Sequence, residues 1–204
     1  MIAIIDYKMG NLRSVENALS RLGALYEVTA DAATIQHAER VLLPGVGNCA
    51  EAMHNLRESG LIPVIRQLRQ PVLGICVGLQ VMCRDSEEGA SNVSEGGFTP
   101  CMNIFDSHVR RFPTTPEAKV PHMGWNTLGN LEKKLFDGLH SGDSVYYVHS
   151  FYPTLCPDTI ATTRHGSVLF SAALKYEQFY GTQFHPEKSG DVGERILKNF
   201  LSLW

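Results

Sequence analysis

The sequence lacks several features that mark specialised classes of protein. No apolar run approaches the roughly 20 residues that cross a membrane. Lysine and arginine do not cluster, and the formal net charge is −3, so charge gives no reason to expect nucleic acid or an anionic membrane as a partner. The first six residues lack the basic start of a signal peptide, and we expect none.

The cysteines show no pattern of pairing. The 5 cysteines include no C-x-x-C pair, and their number is odd. This usage fits a reducing compartment better than a disulfide framework or a zinc knuckle. We therefore expect a cytoplasmic protein. With 204 residues, 44% of them hydrophobic, the chain is long enough to bury a substantial core and is expected to form a single domain over 1–204.

The first half alternates apolar runs with amphipathic segments. Residues 2–5, 25–28, 41–43 and 72–75 are predicted strands, and apolar residues on one face predict a helix over 12–22. A further helical stretch at 49–68 has predicted breaks at Gly60 and Pro63. Strands and helices in this rhythm predict a parallel sheet wrapped by crossovers, with a site at the carboxyl ends of its strands.

The second half has a different pattern. Residues 86–103 are rich in Ser, Glu and Gly and are predicted to form a loop. Short β-like runs follow, which favour a more antiparallel arrangement. The last strand is predicted over 179–184, and a helix with one apolar face ends the chain.

The strongest sign of chemistry lies in residues 71–80. An apolar strand leads into Gly74-x-Cys76-x-Gly78, and a helix is predicted to begin near Val77. A reactive side chain at a tight strand-to-helix turn is forced toward positive φ, and flanking glycines relieve the crowding. The helix N-terminus favours a thiolate there. Cys76 is therefore a candidate nucleophile; a buried structural cysteine is the alternative.

His185-Pro186-Glu187 supplies a second candidate group. If the last strand continues through this tripeptide, His185 and Glu187 share a face and are neighbours. A carboxylate fixes the tautomer of the imidazole, whose other nitrogen accepts the proton of a thiol. Cys76, His185 and Glu187 are thus the predicted nucleophile, base and orienting group. A histidine that only caps the strand, and a zinc site, are the alternatives; the zinc site is disfavoured because ligand spacing is not clustered.

Pro44-Gly45-Val46-Gly47 supplies a third element. Acyl transfer requires two N–H donors aimed at the oxyanion. The N–H groups of Val46 and Val77 are the candidates, because paired glycines give the loop backbone freedom that a side chain would forbid. A plain strand-to-helix turn is the alternative.

Together these motifs resemble the class I, or triad, glutamine amidotransferases. Other segments are similar, more narrowly, to the glutaminase subunits of imidazole glycerol phosphate synthases, and the resemblance runs nearly end to end. These segments are residues 6–15, 86–88, 121–126, 147–150 and 188–190. Residues 121–126 are the specific ones among them. Residues 89–106 depart from the family pattern, which leaves the structure of that loop open.

The resemblance implies a fold, a reaction and a set of site residues. The fold is α/β and flavodoxin-like, with a mostly parallel sheet flanked by helices and an additional antiparallel portion. Cys76 would attack the side-chain amide of glutamine, giving a γ-glutamyl thioester and ammonia, and water would release glutamate, with no metal or cofactor. The implied substrate-binding residues are Gly45, Gly47, Gln80, Glu88, Ser150 and Phe151.

The resemblance also implies a partner. Asn11, Trp125, Tyr146 and Lys188 would face a (β/α)₈ barrel cyclase subunit in a heterodimer. Ammonia would pass through the barrel to a phosphorylated ribulose intermediate, giving imidazole glycerol phosphate and an aminoimidazole carboxamide ribotide in histidine biosynthesis. In the free subunit, the Gly45–Val46 peptide is hypothesised to present its carbonyl to the oxyanion site until the partner is engaged.

Three other functions compete with this interpretation. A stand-alone γ-glutamyl hydrolase would share Cys76 and His185 but act without a partner. A different amidotransferase subunit would share the triad, but residues 121–126 argue against it. A catalytically silent regulatory module is disfavoured, because the fold alone would not require an intact Cys–His–Glu set.

Overall fold

The computed structural model describes residues 1–89, 97–116, 118–132 and 134–203. Its strands are β1 (Ile2–Ile5), β2 (Tyr26–Thr29), β3 (Arg40–Gly45), β4 (Val72–Cys76), β5 (Asp85–Ser86), β6 (Thr99–Pro100), β7 (His108–Arg111), β8 (His122–Thr127), β9 (Ser144–His149), β10 (Phe151–Pro153), β11 (Thr159–His165), β12 (Val168–Tyr176) and β13 (Phe179–Thr182). Its helices are α1 (Leu12–Arg21), α2 (Ala32–His37), α3 (Cys49–Glu58), α4 (Leu61–Arg66), α5 (Val77–Gln80) and α6 (Gly190–Leu201), with 3₁₀ turns at Lys134–Phe136 and Pro186–Lys188.

The largest sheet of the described residues has the order β11-β12-β13-β4-β3-β1-β2. The pairs from β13 to β2 are parallel, and β11 and β12 extend the sheet in antiparallel fashion. β1 and β4 are buried at every position, as their uninterrupted apolar sequences require. The predicted mostly parallel α/β fold with an antiparallel portion is confirmed.

The register of three central strands brings their carboxyl ends together. Gly45 at the end of β3 pairs with Cys76 at the end of β4, and Thr182 at the end of β13 pairs with Ile75. The residues that follow β3, β4 and β13 therefore emerge at one edge of the sheet. This edge is where parallel α/β sheets place their sites.

The helices in the first half match the prediction with two differences. Pro63 does not break a helix, because it lies in the first turn of α4, where its missing N–H is not needed. α2 was not predicted, since Ile35 is its only buried residue and gives no apolar stripe; the Asp31 side chain caps it by accepting from Thr34 N at 2.7 Å. No helix in the described ranges is long and apolar enough to span a bilayer.

The second half forms two smaller sheets in the described residues. β8 and β9 pair in antiparallel fashion, and β10-β7-β5-β6 form the other sheet. The loop predicted over 86–103 is wrong at its edges, because β5 and β6 form a short antiparallel pair across it. Residues 90–96 of that prediction lie outside the described residues.

Candidate active site

Cys76 occupies a strained turn between β4 and α5. Its backbone has φ 55° and ψ −109°, a left-handed conformation that costs a non-glycine residue on the order of 1–3 kcal/mol. A Cβ on Gly78 would lie 1.7 Å from the Leu43 carbonyl oxygen, and one on Gly74 would lie 2.6 Å from the Gly78 carbonyl oxygen. Glycine is therefore required on both sides of Cys76, as the crowded turn predicts.

The predicted helix after Cys76 begins at Val77 and is short. α5 spans the 4 residues from Val77 to Gln80, so its dipole is weak and cannot be the main support of a thiolate. Val77 is its first residue, and its N–H is therefore not used by the helix itself. Beyond α5, the Val81 carbonyl oxygen accepts from the Met102 N–H at 2.8 Å.

His185 and Glu187 are neighbours for a different reason than predicted. β13 ends at Thr182, and Glu187 lies in the 3₁₀ turn Pro186–Lys188, so strand alternation does not bring the two residues together. The turn does so instead: His185 Nδ1 lies 2.7 Å from Glu187 Oε1. Ser189 holds the turn, because its hydroxyl donates to the His185 carbonyl oxygen at 2.6 Å.

The protonation of His185 is set by its two neighbours. Burial would lower the pKa of His185, but the Cys76 sulfur and the Glu187 carboxylate outweigh it and raise that pKa to about 10. Nδ1 faces Glu187, while Nε2 makes no hydrogen bond within the described residues. The arrangement therefore favours an imidazolium whose Nε2–H is available to the pocket beside Cys76.

A pocket of about 470 Å³ lies at the carboxyl ends of the central strands. Its lining includes the candidate nucleophile, the candidate base and most of the other predicted site residues. These are Val46, Gly47, Cys76, Val77, Gln80, Glu88, Ser150, Phe151 and His185, together with Val148 and His149. Glu187 lies behind His185, outside the lining.

Gly45 is the predicted substrate residue that does not line this pocket. It lies within β3 beside Cys76 and is buried. A Cβ there would lie 2.6 Å from the Tyr7 hydroxyl and 2.8 Å from the Gly78 nitrogen, so the close approach explains the glycine. Gly45 and Glu187 instead border a shallow depression that Val46 and His185 also line.

Comparison with known proteins identifies the family. The family model for class-I glutamine amidotransferases matches residues 3–204. The imidazole glycerol phosphate synthase subunit HisH of Bacteroides thetaiotaomicron is 51% identical over 203 residues, covering 99% of each chain, and that of Bacteroides fragilis is also 51% identical with the same coverage. The chain belongs to the class-I glutamine amidotransferases. A crystal structure of a glutamine amidotransferase, 19% identical, has the same fold with a TM-score of 0.68 and covers 98% of this chain and 97% of that one.

Two polar side chains of the amidotransferase pocket are already engaged. Both N–H groups of the Gln80 amide donate within the protein, to the Phe151 carbonyl oxygen at 3.1 Å and to Gln183 Oε1 at 2.9 Å. Gln80 Oε1 is left to accept from a ligand. Glu88 Oε2 accepts from Cys49 N–H at 2.8 Å, and burial raises the pKa of Glu88 despite that hydrogen bond.

Sequence reasoning missed two residues of the amidotransferase site. Gln183 is fully buried, and its Nε2 donates to Cys76 Sγ at 3.6 Å. His149 lines the pocket and donates from Nδ1 to the Phe151 carbonyl oxygen at 2.7 Å. Gln183 precedes His185 by two residues and His149 adjoins Ser150, so position along the chain was the available signal. Within the described ranges, no group of three His, Cys, Asp or Glu side chains could hold a metal ion.

The predicted partner-facing residues of the amidotransferase surround the 3₁₀ turn at Glu187. Trp125 is 60% exposed and its ring packs edge-on against that of Tyr146 at 6.1 Å. Tyr146 is joined to the turn through its backbone, since its carbonyl oxygen accepts from His185 N and its N–H donates to Ser189 Oγ, both at 2.9 Å. Lys188 and Asn11 are both exposed, and the Asn11 side chain also caps α1 by accepting from Ser14 N.

Proposed function

We propose that this chain is the glutaminase subunit of an imidazole glycerol phosphate synthase, acting through Cys76, His185 and Glu187. One observation carries the proposal: a single pocket is lined by Cys76 and His185, and Glu187 is hydrogen-bonded to the far nitrogen of that histidine. The relatives that are 51% identical along 99% of both chains bear the name of this synthase subunit.

The first chemical step forms a thioester. The Cys76 sulfur attacks the side-chain amide carbon of glutamine, and the oxyanion faces the N–H groups of Val46 and Val77. The C–N bond then breaks, and the His185 imidazolium gives its Nε2 proton to the departing nitrogen, which leaves as ammonia. Glu187 keeps the imidazole ring oriented throughout.

The second step consumes water. Neutral His185 takes a proton from a water molecule, the resulting hydroxide attacks the thioester carbon, and the C–S bond breaks. Glutamate leaves, and the proton on His185 remains as the imidazolium beside the regenerated Cys76 thiolate. The net reaction is glutamine plus water to glutamate plus ammonia.

The amino-acid end of glutamine matches the polar groups on the opposite wall. Glu88 carries a carboxylate and Gln80 has Oε1 unused, so both suit the α-ammonium group. The Phe151 carbonyl oxygen already accepts two hydrogen bonds, from Gln80 and His149, so Phe151 and Ser150 would serve through their N–H groups. Gly47, with φ 98°, lets the loop follow the substrate closely.

The partner is a (β/α)₈ barrel cyclase in a heterodimer. Trp125, Tyr146, Lys188 and Asn11 would form the contact, and an exposed aromatic side chain is typical of an interface centre. Ammonia would pass to a phosphorylated ribulose intermediate, giving imidazole glycerol phosphate and an aminoimidazole carboxamide ribotide. A cytoplasmic location is supported by the free state of all cysteines, including Cys49 and Cys101, whose sulfur atoms are 3.7 Å apart.

The test is release of glutamate from glutamine by the purified chain, alone and with a cyclase barrel plus its ribulosyl ligand. We expect strong stimulation by the partner and its loss in Cys76→Ala. Cys156→Ala is the matched control, because Cys156 lies outside the pocket. Full activity without a partner would favour a free hydrolase, and no activity in either condition would overturn the proposal.

A further inference from the structure

Two buried amides connect Cys76 to the wall of the pocket. Gln183 Nε2 donates to Cys76 Sγ at 3.6 Å, and Gln183 Oε1 accepts from Gln80 Nε2 at 2.9 Å. Gln80 donates its other hydrogen to the Phe151 carbonyl oxygen at 3.1 Å. Both amides are thereby held in one orientation, because a flip of either would set donor against donor or acceptor against acceptor.

The Phe151 carbonyl oxygen also accepts a hydrogen bond from the first of two hydrogen-bonded histidines. His149 Nδ1 lies 2.7 Å from the Phe151 oxygen, His122 Nδ1 lies 2.9 Å from His149 Nε2, and His122 Nε2 lies 3.0 Å from Asn126 Nδ2. A carbonyl can only accept, so His149 carries its hydrogen on Nδ1 and accepts at Nε2. His122 must then donate from Nδ1 and accept from Asn126 at Nε2. The donor and the acceptor of every hydrogen bond in this chain are therefore determined.

The chain requires both histidines to be neutral. Burial lowers the pKa of His122 to about 4, with the nearby His165 acting in the same direction. Burial lowers the pKa of His149 to about 3; its hydrogen bond to Phe151 opposes this, and the positive charges that His122, His165 and His185 can carry reinforce it. At neutral pH the single tautomer pattern is therefore maintained.

We infer that Gln183 is a positioning residue for the Cys76 sulfur, and that His149 and His122 position it indirectly by fixing the Phe151 carbonyl that holds Gln80. Gln183 does not line the pocket, so it acts on the sulfur and leaves substrate binding to others. His149 saturates the second lone pair of the carbonyl oxygen, which keeps that carbonyl turned toward Gln80. The kinetic part of this inference rests on the proposed function, whereas the effect on the sulfur does not.

The chain of hydrogen bonds ends on β8, and the other face of this strand is exposed to solvent. β8 places His122 and Asn126 inward, while Met123 and Trp125, 63% and 60% exposed, point to the surface between them. The residues that orient the nucleophile and the residues predicted to meet the cyclase thus alternate along one strand. A contact on the outer face that displaces β8 would therefore move His122 Nδ1, the group that donates to His149 Nε2.

The test compares the reactivity of Cys76 among matched variants. Iodoacetamide alkylates the wild type, Gln183→Met, His149→Leu and His149→Asn, and the Cys76 peptide is quantified by mass spectrometry across pH. Gln183→Met keeps the side-chain length but cannot donate. His149→Asn places an amide N–H where Nδ1 was, whereas His149→Leu cannot donate. Tyr147→Phe is the control, because it keeps the ring that stacks on His122 and removes only the buried hydrogen bond between the Tyr147 hydroxyl and Thr163.

We expect Gln183→Met to slow Cys76 alkylation at neutral pH by about tenfold or more, the effect of losing one hydrogen bond to a charged group, and to move the pH profile to higher pH. His149→Leu should act in the same direction, His149→Asn should recover most of the rate, and Tyr147→Phe should match the wild type. In glutamate release, Gln183→Met should lower kcat and leave KM unchanged.

Two results would overturn the inference. One is wild-type alkylation in Gln183→Met; the other is equal alkylation in His149→Asn and His149→Leu at equal thermal stability. A wild type that releases no glutamate but shows the expected alkylation pattern would refute the proposed function and leave the positioning of Cys76 intact.

Discussion

His185 Nδ1 lies 2.7 Å from Glu187 Oε1, and the two side chains are 1% and 3% exposed. Replacing Glu187 with glutamine preserves the shape and removes the charge. The loss of that charge should lower the pKa of His185 and misorient the ring, and we expect kcat for glutamate release to fall by about 10²–10⁴-fold. The measurement is the pH profile of glutamate release by wild type and Glu187→Gln.

The direction of the pH effect follows from the raised pKa of His185. In the wild type the imidazolium persists until the pH rises through about 10, so a reaction that needs it fails only there. In Glu187→Gln the failure should begin at lower pH. Glu194→Gln is the control, since Glu194 pairs with Lys198 on the surface of α6. A Glu187→Gln profile identical to the wild type would remove the carboxylate charge from the mechanism.

Val46 gives a test of the oxyanion donors. Val46→Pro deletes the N–H, whereas Val46→Ala keeps it and shortens the side chain. Loss of one oxyanion donor costs roughly 10²–10³ in kcat, so we expect that loss in Val46→Pro and near-normal turnover in Val46→Ala. Steady-state glutamate release with the cyclase present measures both. If Val46→Pro turned over normally, another donor would have to serve.

Trp125 should matter to association rather than to chemistry. Truncating a central interface tryptophan costs at least about 2 kcal/mol, roughly 30-fold in affinity. We therefore expect Trp125→Ala to weaken binding of the cyclase by that factor, measured by calorimetry, while unstimulated glutamate release is kept. Leu25→Ala is the control, because Leu25 is 79% exposed and precedes the far edge strand β2. Equal losses of affinity in Trp125→Ala and Leu25→Ala would contradict the assignment of the Trp125 face to the cyclase.

The buried histidines should destabilise the protein in acid. The pKa of His122 and of His149 is lowered to about 4 and about 3, below the value of about 6.5 in an unfolded chain. Their contribution to stability is thus complete above about pH 6.5 and is lost as pH falls toward these values, by about 1.4 kcal/mol per pH unit for each histidine.

The free energy of unfolding in urea at pH 7 and pH 5 checks this acid effect. We expect the wild type to lose stability over that interval and His149→Asn to lose less, because one titrating group is gone. The exposed His54 provides the comparison, since His54→Asn should retain the wild-type pH dependence. If the free energy of unfolding changed equally with pH in the wild type and both variants, His122 and His149 would not resist protonation.

The motifs of the candidate site could be predicted because each is local. The spacing of Gly74, Cys76 and Gly78 predicts a tight turn by itself, and only one residue separates His185 from Glu187, so the two are close in any backbone conformation. The reason given for that second pair was nevertheless wrong, because β13 stops early and a 3₁₀ turn joins them. Proximity in sequence predicted the contact but not its geometry.

Gln183 and His149 could not be found in the same way. The bond from Gln183 to Cys76 depends on β13 pairing beside β4, which lie about a hundred residues apart in the chain. The bond from His149 to the Phe151 oxygen depends on the bend at Ser150 between β9 and β10, which belong to different sheets. Neither relationship leaves a periodic trace in the sequence, since both residues look like ordinary members of buried strands.

The pairing of Gly45 with Cys76 has a mechanical consequence. Gly45 is fixed in the ladder between β3 and β4, while Val46 is the first residue beyond it. The hypothesised rotation of the Gly45–Val46 peptide would therefore turn about a backbone position that is anchored beside Cys76, the candidate nucleophile. If the hypothesised rotation occurs, the oxyanion site would be switched on or off by a single peptide, and the sheet would not need to deform for the enzyme to change its state.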